Sequence, residues 1–186
     1  MTDKNTERFI ESAKRVGAEV LRMGNLQEAV TYIKDKTKGT ALVPGTSLAK
    51  QHQLQALLSE AGVDVFSGKF RDAGQITGAG VTFCNFCLAD TGTVVLESTD
   101  EEIRLATTLP ELHFVLVDPL TILGDNLAAV EPMTTFHQGS DPKFIAYITG
   151  PSRTADIERV LTIGCHGPRE LHILLVEGIS SDLMEN

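Results

Sequence analysis

Apolar side chains recur at Phe9, Ala13, Val16 and Val20, a helical spacing that predicts a helix over 6–21. Gly24 and Asn25 end that helix and cap another, with Glu28 three residues after Asn25 as in a capping box. The second helix carries Leu26, Ala29, Val30 and Ile33 and stops near Gly39. The reading is of an N-terminal helical pair, 1–38, packed on a core that runs from 40 to 177.

From Thr40 the period shortens. Ala41 to Val43 reads as a strand, Pro44-Gly45-Thr46-Ser47 as a turn, and Leu48 to Ala61 as one helix with Leu54, Leu57 and Leu58 on its inner face. Gly62 is the expected stop, and Val63 to Phe66 is the next strand, which completes a βαβ unit with parallel neighbours. Residues 67–80 read as loop with at most one helical turn. Val81 to Leu88 and Thr93 to Leu96 are strands around an Ala89-Asp90-Thr91-Gly92 turn. Ser98 and Thr99, each three residues before a glutamate, cap a short helix that Pro110 closes. His113 to Val117 is a strand, Asp118-Pro119 a turn, and Asp125 opens a helical segment that Pro132 interrupts.

The stretch from Phe144 to Glu177 holds the densest chemistry. Phe144 to Ile148 reads as a buried strand, Thr154 to Glu158 as a short helix capped by Ser152 or Thr154, and Leu171 to Val176 as another buried strand. Between them lie two breakers, Gly150-Pro151-Ser152-Arg153 and Gly164-Cys165-His166-Gly167-Pro168, with Asp156, Arg169 and Glu170 nearby. These corners are expected to meet over the rim of a parallel sheet. The fold class is therefore α/β: a mostly parallel sheet sandwiched by helices, in a single domain, with ligands expected at the carboxyl ends of strands.

Composition narrows the function. The chain has 186 residues, 42% hydrophobic, enough for a full core, and its net charge of −9 argues against a nucleic-acid surface. No apolar run reaches the length of a membrane span, and the polar start MTDKNTERF is unlike a signal peptide, so a cytoplasmic location is expected. Three cysteines do not make a disulfide framework and fall short of the four thiolates a cluster normally needs.

Candidate chemistry sits in the turns. Gly45, Thr46 and Ser47 follow a strand and open a helix, a geometry suited to a phosphate or carboxylate, against the alternative that Ser47 serves only as a cap. Asp90, Thr91 and Gly92 form a turn in which Asp90 is either a base or an ordinary turn residue, and Glu97 carries the same ambiguity. Arg153 and Arg169 suit bidentate recognition of an anion, against the alternative of ion pairs with Asp156 and Glu170. His166 and Glu170 complete the candidate acid/base set with Asp90 and Glu97. Cys84 and Cys87 form a C-x-x-C inside a β-patterned run, where a regular strand points them to opposite faces, as small buried hydrophobes. No histidine spacing suggests a metal.

The segments ITGPSRTADIE (148–158) and GCHGPRELHILLVE (164–177), with ADTGTVVLES (89–98), resemble the lactate-utilisation protein C group of LUD-domain proteins. That resemblance implies a NagB/RpiA/CoA-transferase-like fold and a part in a cytoplasmic system that oxidises L-lactate to pyruvate. It also implies partner subunits that carry the iron–sulfur clusters, and it marks Asp90, Thr91, Gly92, Gly150–Arg153, Asp156 and His166–Arg169 as motif positions. In that setting the chain is expected to bind no cofactor itself and to act as a non-redox subunit holding a small anionic metabolite. The alternatives are a stand-alone transferase or isomerase acting on a phosphorylated or CoA-linked metabolite, and a purely structural assembly protein.

Overall fold

The computed structural model describes residues 2–73, 78–139, 141–154, 162–163 and 167–186. Among them a six-stranded sheet, entirely parallel, runs in the order β1 (Glu19–Met23), β12 (Glu170–Val176), β7 (Leu112–Val117), β4 (Ala79–Phe83), β2 (Thr40–Leu42) and β3 (Asp64–Val65). One face packs on α2 (Leu26–Lys36), α3 (Ser47–Gln51) and α4 (Leu54–Glu60) through Phe114, Leu116, Leu174 and Val176. The other face, through Val115, Val117, Leu171, Ile173 and Leu175, packs on α1 (Thr2–Arg15), on α5 (Glu101–Thr108) and on a second sheet. That sheet has the order β8 (Ile122–Leu123), β5 (Phe86–Leu88), β6 (Thr93–Glu97) and β9 (Ile145–Ile148). A two-stranded ribbon, β10 (Arg153–Thr154) with β11 (Thr162–Ile163), and α6 (Val130–Phe136) complete the elements. The α/β class and the mostly parallel sheet are as the sequence pattern predicts.

Several boundaries differ, each for a local reason. The predicted helix over 6–21 ends at Arg15, because Gly17 turns the chain at φ +92° and Glu19–Met23 then pairs in parallel with the central strand β12. Val20 and Met23 are buried by sheet packing, so the N-terminal segment is helix–strand–helix rather than a helical pair. Asn25 caps α2 as predicted, its side chain accepting from Glu28 N–H at 3.0 Å. The helix expected over 48–61 is two helices, broken at Gln53 in the left-handed region with φ 51°. Thr46, not Ser47, caps the first of them. Asp100, not Ser98 or Thr99, caps α5; Ser98 instead donates to the Phe144 carbonyl. Pro132 lies in the first turn of α6, where a backbone N–H has no helical partner to lose, so it does not interrupt the helix.

The run 81–88 is two strands in two sheets. After Phe83 the chain bends at Cys84-Asn85, and β5 departs as part of an antiparallel hairpin with β6. The bend turns both cysteines to the same side, and their sulfurs lie 3.8 Å apart in one buried cluster, not on opposite faces. Burial pushes the Cys87 thiol well up, reinforced by the Cys84 sulfur beside it. β9 is a half-exposed edge of the second sheet rather than a buried strand, with Tyr147 49% exposed, because it pairs only with β6 among the described strands. Thr154 lies in β10, which removes it as the start of a helix; residues 155–161, including Asp156, lie outside the described residues.

Candidate functional site

The carboxyl ends of β1, β2, β4, β7 and β12 define the rim where a parallel sheet usually receives its ligand. Here the segment 177–186 crosses that rim and satisfies its polar groups one after another. Asp118, 3% exposed at the end of β7, accepts from Ile179 N–H at 2.9 Å and, through its other oxygen, from Leu120 N–H at 2.9 Å. His52 meets the Ile179 carbonyl at 2.8 Å. Asn85, fully buried at the bend after β4, accepts from Glu97 N–H at 2.7 Å and donates to the Glu185 carbonyl at 3.1 Å. The Asn186 carbonyl accepts from Leu48 N–H and from Ser47 Oγ, each at 3.2 Å, and the Asn186 side chain donates to the Glu97 carbonyl at 2.8 Å. Gly45, Thr46 and Ser47 follow β2 on this rim, where Ser47 is taken up by the Asn186 carbonyl and Thr46 by Ala49 N–H at 3.4 Å. Glu97 has its carboxylate turned onto Thr99 N–H at 2.9 Å. A cavity of about 590 Å³ lies further along the rim beside Arg22 and Asp118, but Arg22 is paired with Glu7 at 2.5 Å.

The motif residues gather elsewhere. The turn 89–92 and the corner 149–153 both pack on the end of α1, and glycine is required at each contact. A Cβ on Gly92 (φ +67°) would sit 2.3 Å from Ala13 N, and one on Gly150 (φ +77°) would sit 2.3 Å from the Val16 carbonyl oxygen. Hydroxyls then tie the two turns together: Thr91 to Thr93 at 2.7 Å and Thr93 to Thr149 at 2.8 Å. The second corner joins them directly, since Ser152 N–H donates to the Pro168 carbonyl at 2.9 Å. The Gly167-Pro168 corner precedes β12, so it lies at the amino end of the parallel sheet. The expectation that both corners overhang the carboxyl rim is corrected accordingly: the chain enters β12 from this corner instead of leaving a strand there.

Where the corners meet there is a cavity of about 280 Å³. Its walls are the last turn of α5 (Thr107, Thr108), β9 with the corner 149–152, Gly167-Pro168, Leu171 and His113. His113, on the first turn of β7 and 1% exposed, meets Thr82 Oγ1 through Nε2 at 2.9 Å, while its Nδ1 is buried with no hydrogen-bond partner. Burial pushes its pKa down to about 3, so the ring is neutral near pH 7.

The arginines do not line this cavity. The exposed Arg153 directs its guanidinium onto the Val16 carbonyl at the end of α1. Arg169 is exposed and lines a separate polar cavity of about 310 Å³ with Glu111, Leu112 and Glu170. Asp90 is partly exposed, yet one carboxylate oxygen is buried without a partner; its N–H donates to the Gly124 carbonyl at 3.2 Å. The Glu170 carboxylate accepts from buried His172 Nε2 at 2.9 Å, and His172 Nδ1 meets Tyr32 Oη at 3.0 Å. Burial, with Glu19 and Glu170 nearby, holds the Tyr32 phenol above its usual range. His166 lies outside the described residues. Sequence reasoning missed His113 as a site residue; the only signal was a histidine leading the otherwise apolar run FVLV.

Residues 6–176 match the model of the LUD domain. The chain belongs to the LUD domain family. Over 111 residues it is 40% identical to an uncharacterised protein of Neisseria meningitidis serogroup B, covering 58% of this chain and 47% of that one. Over 107 residues it is 36% identical to lactate utilization protein C of Geobacillus kaustophilus, covering 56% and 45%. Over 150 residues it is 31% identical to lactate utilization protein C of Geobacillus thermodenitrificans, covering 74% and 62%. The matched stretch thus spans about half the length of most of these relatives. The same fold is seen in a DUF162 family protein from Deinococcus radiodurans, with TM-score 0.68 and 17% identity over 95% of this chain and 98% of that one. Among the described residues no helix is long and apolar enough to cross a membrane.

Proposed function

We propose that this LUD protein is a cytoplasmic component of an L-lactate utilisation system, in which it binds a small metabolite in the cavity between its two Gly-Pro corners. Relatives named lactate utilization protein C support the system. The observation that carries the site is the meeting of two separated motifs, 149–152 and 167–168, at one cavity of about 280 Å³, a volume suited to a small ligand rather than a nucleotide; the turn 89–93 lies outside it and is tied to the first motif through Thr93 and Thr149. In this reading the chain is a non-redox subunit, and partner subunits carry the iron–sulfur clusters and the electrons. The ligand is a small anion, with Arg153 and Arg169 outside the cavity acting on its approach. Calorimetry with L-lactate and pyruvate tests the site. Binding is expected in the native chain and is lost in Thr108→Trp, which puts a large side chain at an exposed position of the cavity lining. Binding that survives Thr108→Trp places the ligand elsewhere.

One arrangement favours a second reading, an enzyme of transferase or isomerase type. Glu170 is backed by buried His172 and by Tyr32, a chain of contacts that orients its carboxylate as a general acid or base would need. Turnover of a sugar phosphate or acyl-CoA that disappears in Glu170→Gln would favour this reading over the binding subunit.

A further inference from the structure

We infer that His113 is the group that selects the ligand of the corner cavity, and that it does so by a hydrogen bond between Nδ1 and a ligand hydroxyl. The inference rests on the reading of that cavity as a ligand site. A buried donor or acceptor with no partner is rare in folded proteins, because it loses its hydration and gains nothing back. His113 Nδ1 is such an atom, on a side chain 1% exposed that forms part of the cavity wall. The buried Thr82 hydroxyl accounts for Nε2 but leaves Nδ1 without a role in the packing of β7. The neighbouring residues on the same face, Val115 and Val117, are apolar and fully packed.

The ring's other nitrogen narrows the chemistry. Thr82 Oγ1 and His113 Nε2 share one hydrogen bond of 2.9 Å, and either atom is able to provide the proton. If Thr82 donates, Nδ1 carries a hydrogen and needs an acceptor; if Nε2 donates, Nδ1 is a lone pair and needs a donor. A hydroxyl meets both cases, whereas a carboxylate meets only the first and an ammonium only the second. A methyl or methylene group at that point leaves Nδ1 stranded in either case. The cavity is thereby built to separate a hydroxylated small molecule from its deoxy counterpart, the kind of discrimination in which unpaired site groups do most of the rejecting. The hydroxyls of Thr107 and Thr108 do not replace His113 in this role, since both already donate to the Arg104 carbonyl, at 2.9 and 2.7 Å.

The test compares L-lactate with propionate, which differs by that hydroxyl alone, on the full chain and on the double variant Thr82→Val/His113→Phe, which strands no polar group. The native chain is expected to bind L-lactate at least about tenfold more tightly, the effect of one hydrogen bond to a buried group. The double variant is expected to bind both acids equally. Equal binding by the native chain, or a preference that persists in the double variant, overturns the role of His113 while leaving the cavity as a ligand site. If neither acid binds, the lactate reading fails, and the imidazole nitrogen signals of the native chain decide the role of His113. Titrated with three- to six-carbon hydroxy acids and their deoxy counterparts, Nδ1 is expected to shift with hydroxylated members only. A shift with none, or with both kinds equally, overturns the inference; this readout needs no variant to fold.

Discussion

The carboxyl rim and the corner cavity are built from the same materials: glycine turns, threonine and serine hydroxyls, one asparagine or histidine buried at a strand end. They differ in how those groups are satisfied. On the rim, Asn85, Asp118, Ser47 and Leu48 N–H all find partners in the segment 177–186 or its neighbours, mostly near 3 Å. At the corners, His113 Nδ1 finds none. A turn that resembles a binding loop in sequence is thus closed by the protein itself, and a histidine at the head of an apolar strand is left open. Satisfaction of buried polar groups, more than the presence of a glycine-rich turn, separates the two regions.

Four measurements break or sharpen this contrast. The largest effect is expected from Gly150→Val. Its Cβ would meet the Val16 carbonyl at 2.3 Å in a left-handed backbone conformation, so a loss of about 4 kcal/mol or more is expected by chemical denaturation. Gly45→Ala on the rim, whose Cβ would lie 3.5 Å from a flexible Lys50 side chain, should change stability by no more than about 0.5 kcal/mol. Equal costs at the two sites would mean that the corner is no more tightly constrained than the rim.

Next in size is Asn85→Ala. It strands Glu97 N–H and the Glu185 carbonyl at a fully buried position, for a loss of about 3 kcal/mol. Hydrogen exchange should also quicken at Leu48 N–H, which the Asn186 carbonyl now protects. Unchanged exchange there would show that the segment 177–186 does not depend on the Asn85 clasp.

The third measurement is pH dependence. His113 is held neutral in the fold down to about pH 3, while in the unfolded chain it takes up a proton below about pH 6.5. The unfolded state therefore binds more protons between those values, and stability from this group is complete above pH 6.5 and falls as pH falls toward 3. The slope is about 1.4 kcal/mol per pH unit, so from pH 6.5 to pH 5 the native chain should lose about 2 kcal/mol more than Thr82→Val/His113→Phe. Parallel pH profiles for the two proteins would place His113 in contact with solvent. The smallest effect is expected for Arg169→Ala, an exposed side chain with no ion pair among the described residues, at no more than about 0.5 kcal/mol.

Much of the architecture was legible in the residue pattern. The strands at 41–43, 63–66, 93–96, 113–117 and 171–176 each lie on or within two residues of an observed strand, because uninterrupted apolar runs bounded by glycine, proline or aspartate have few other ways to be buried. What was not legible is instructive. Glu19–Met23 has helical spacing with Phe9 and Ala13 but is a strand, because a place at the edge of the sheet beside β12 outweighs local periodicity. Cys84 and Cys87 obey strand alternation only until the chain bends between two sheets.

Composition and motif therefore determined the fold class, the family and the convergence of the Gly-Pro corners, since these depend on local backbone preferences and on runs of apolar residues. Which polar groups would be left without partners was decided only in three dimensions. That outcome depends on where distant segments come to rest: residues 177–186 over one edge of the sheet, and the end of α5 with β9 around His113 at the other. A hydrogen bond across more than a hundred residues leaves no trace in local spacing, and neither does its absence.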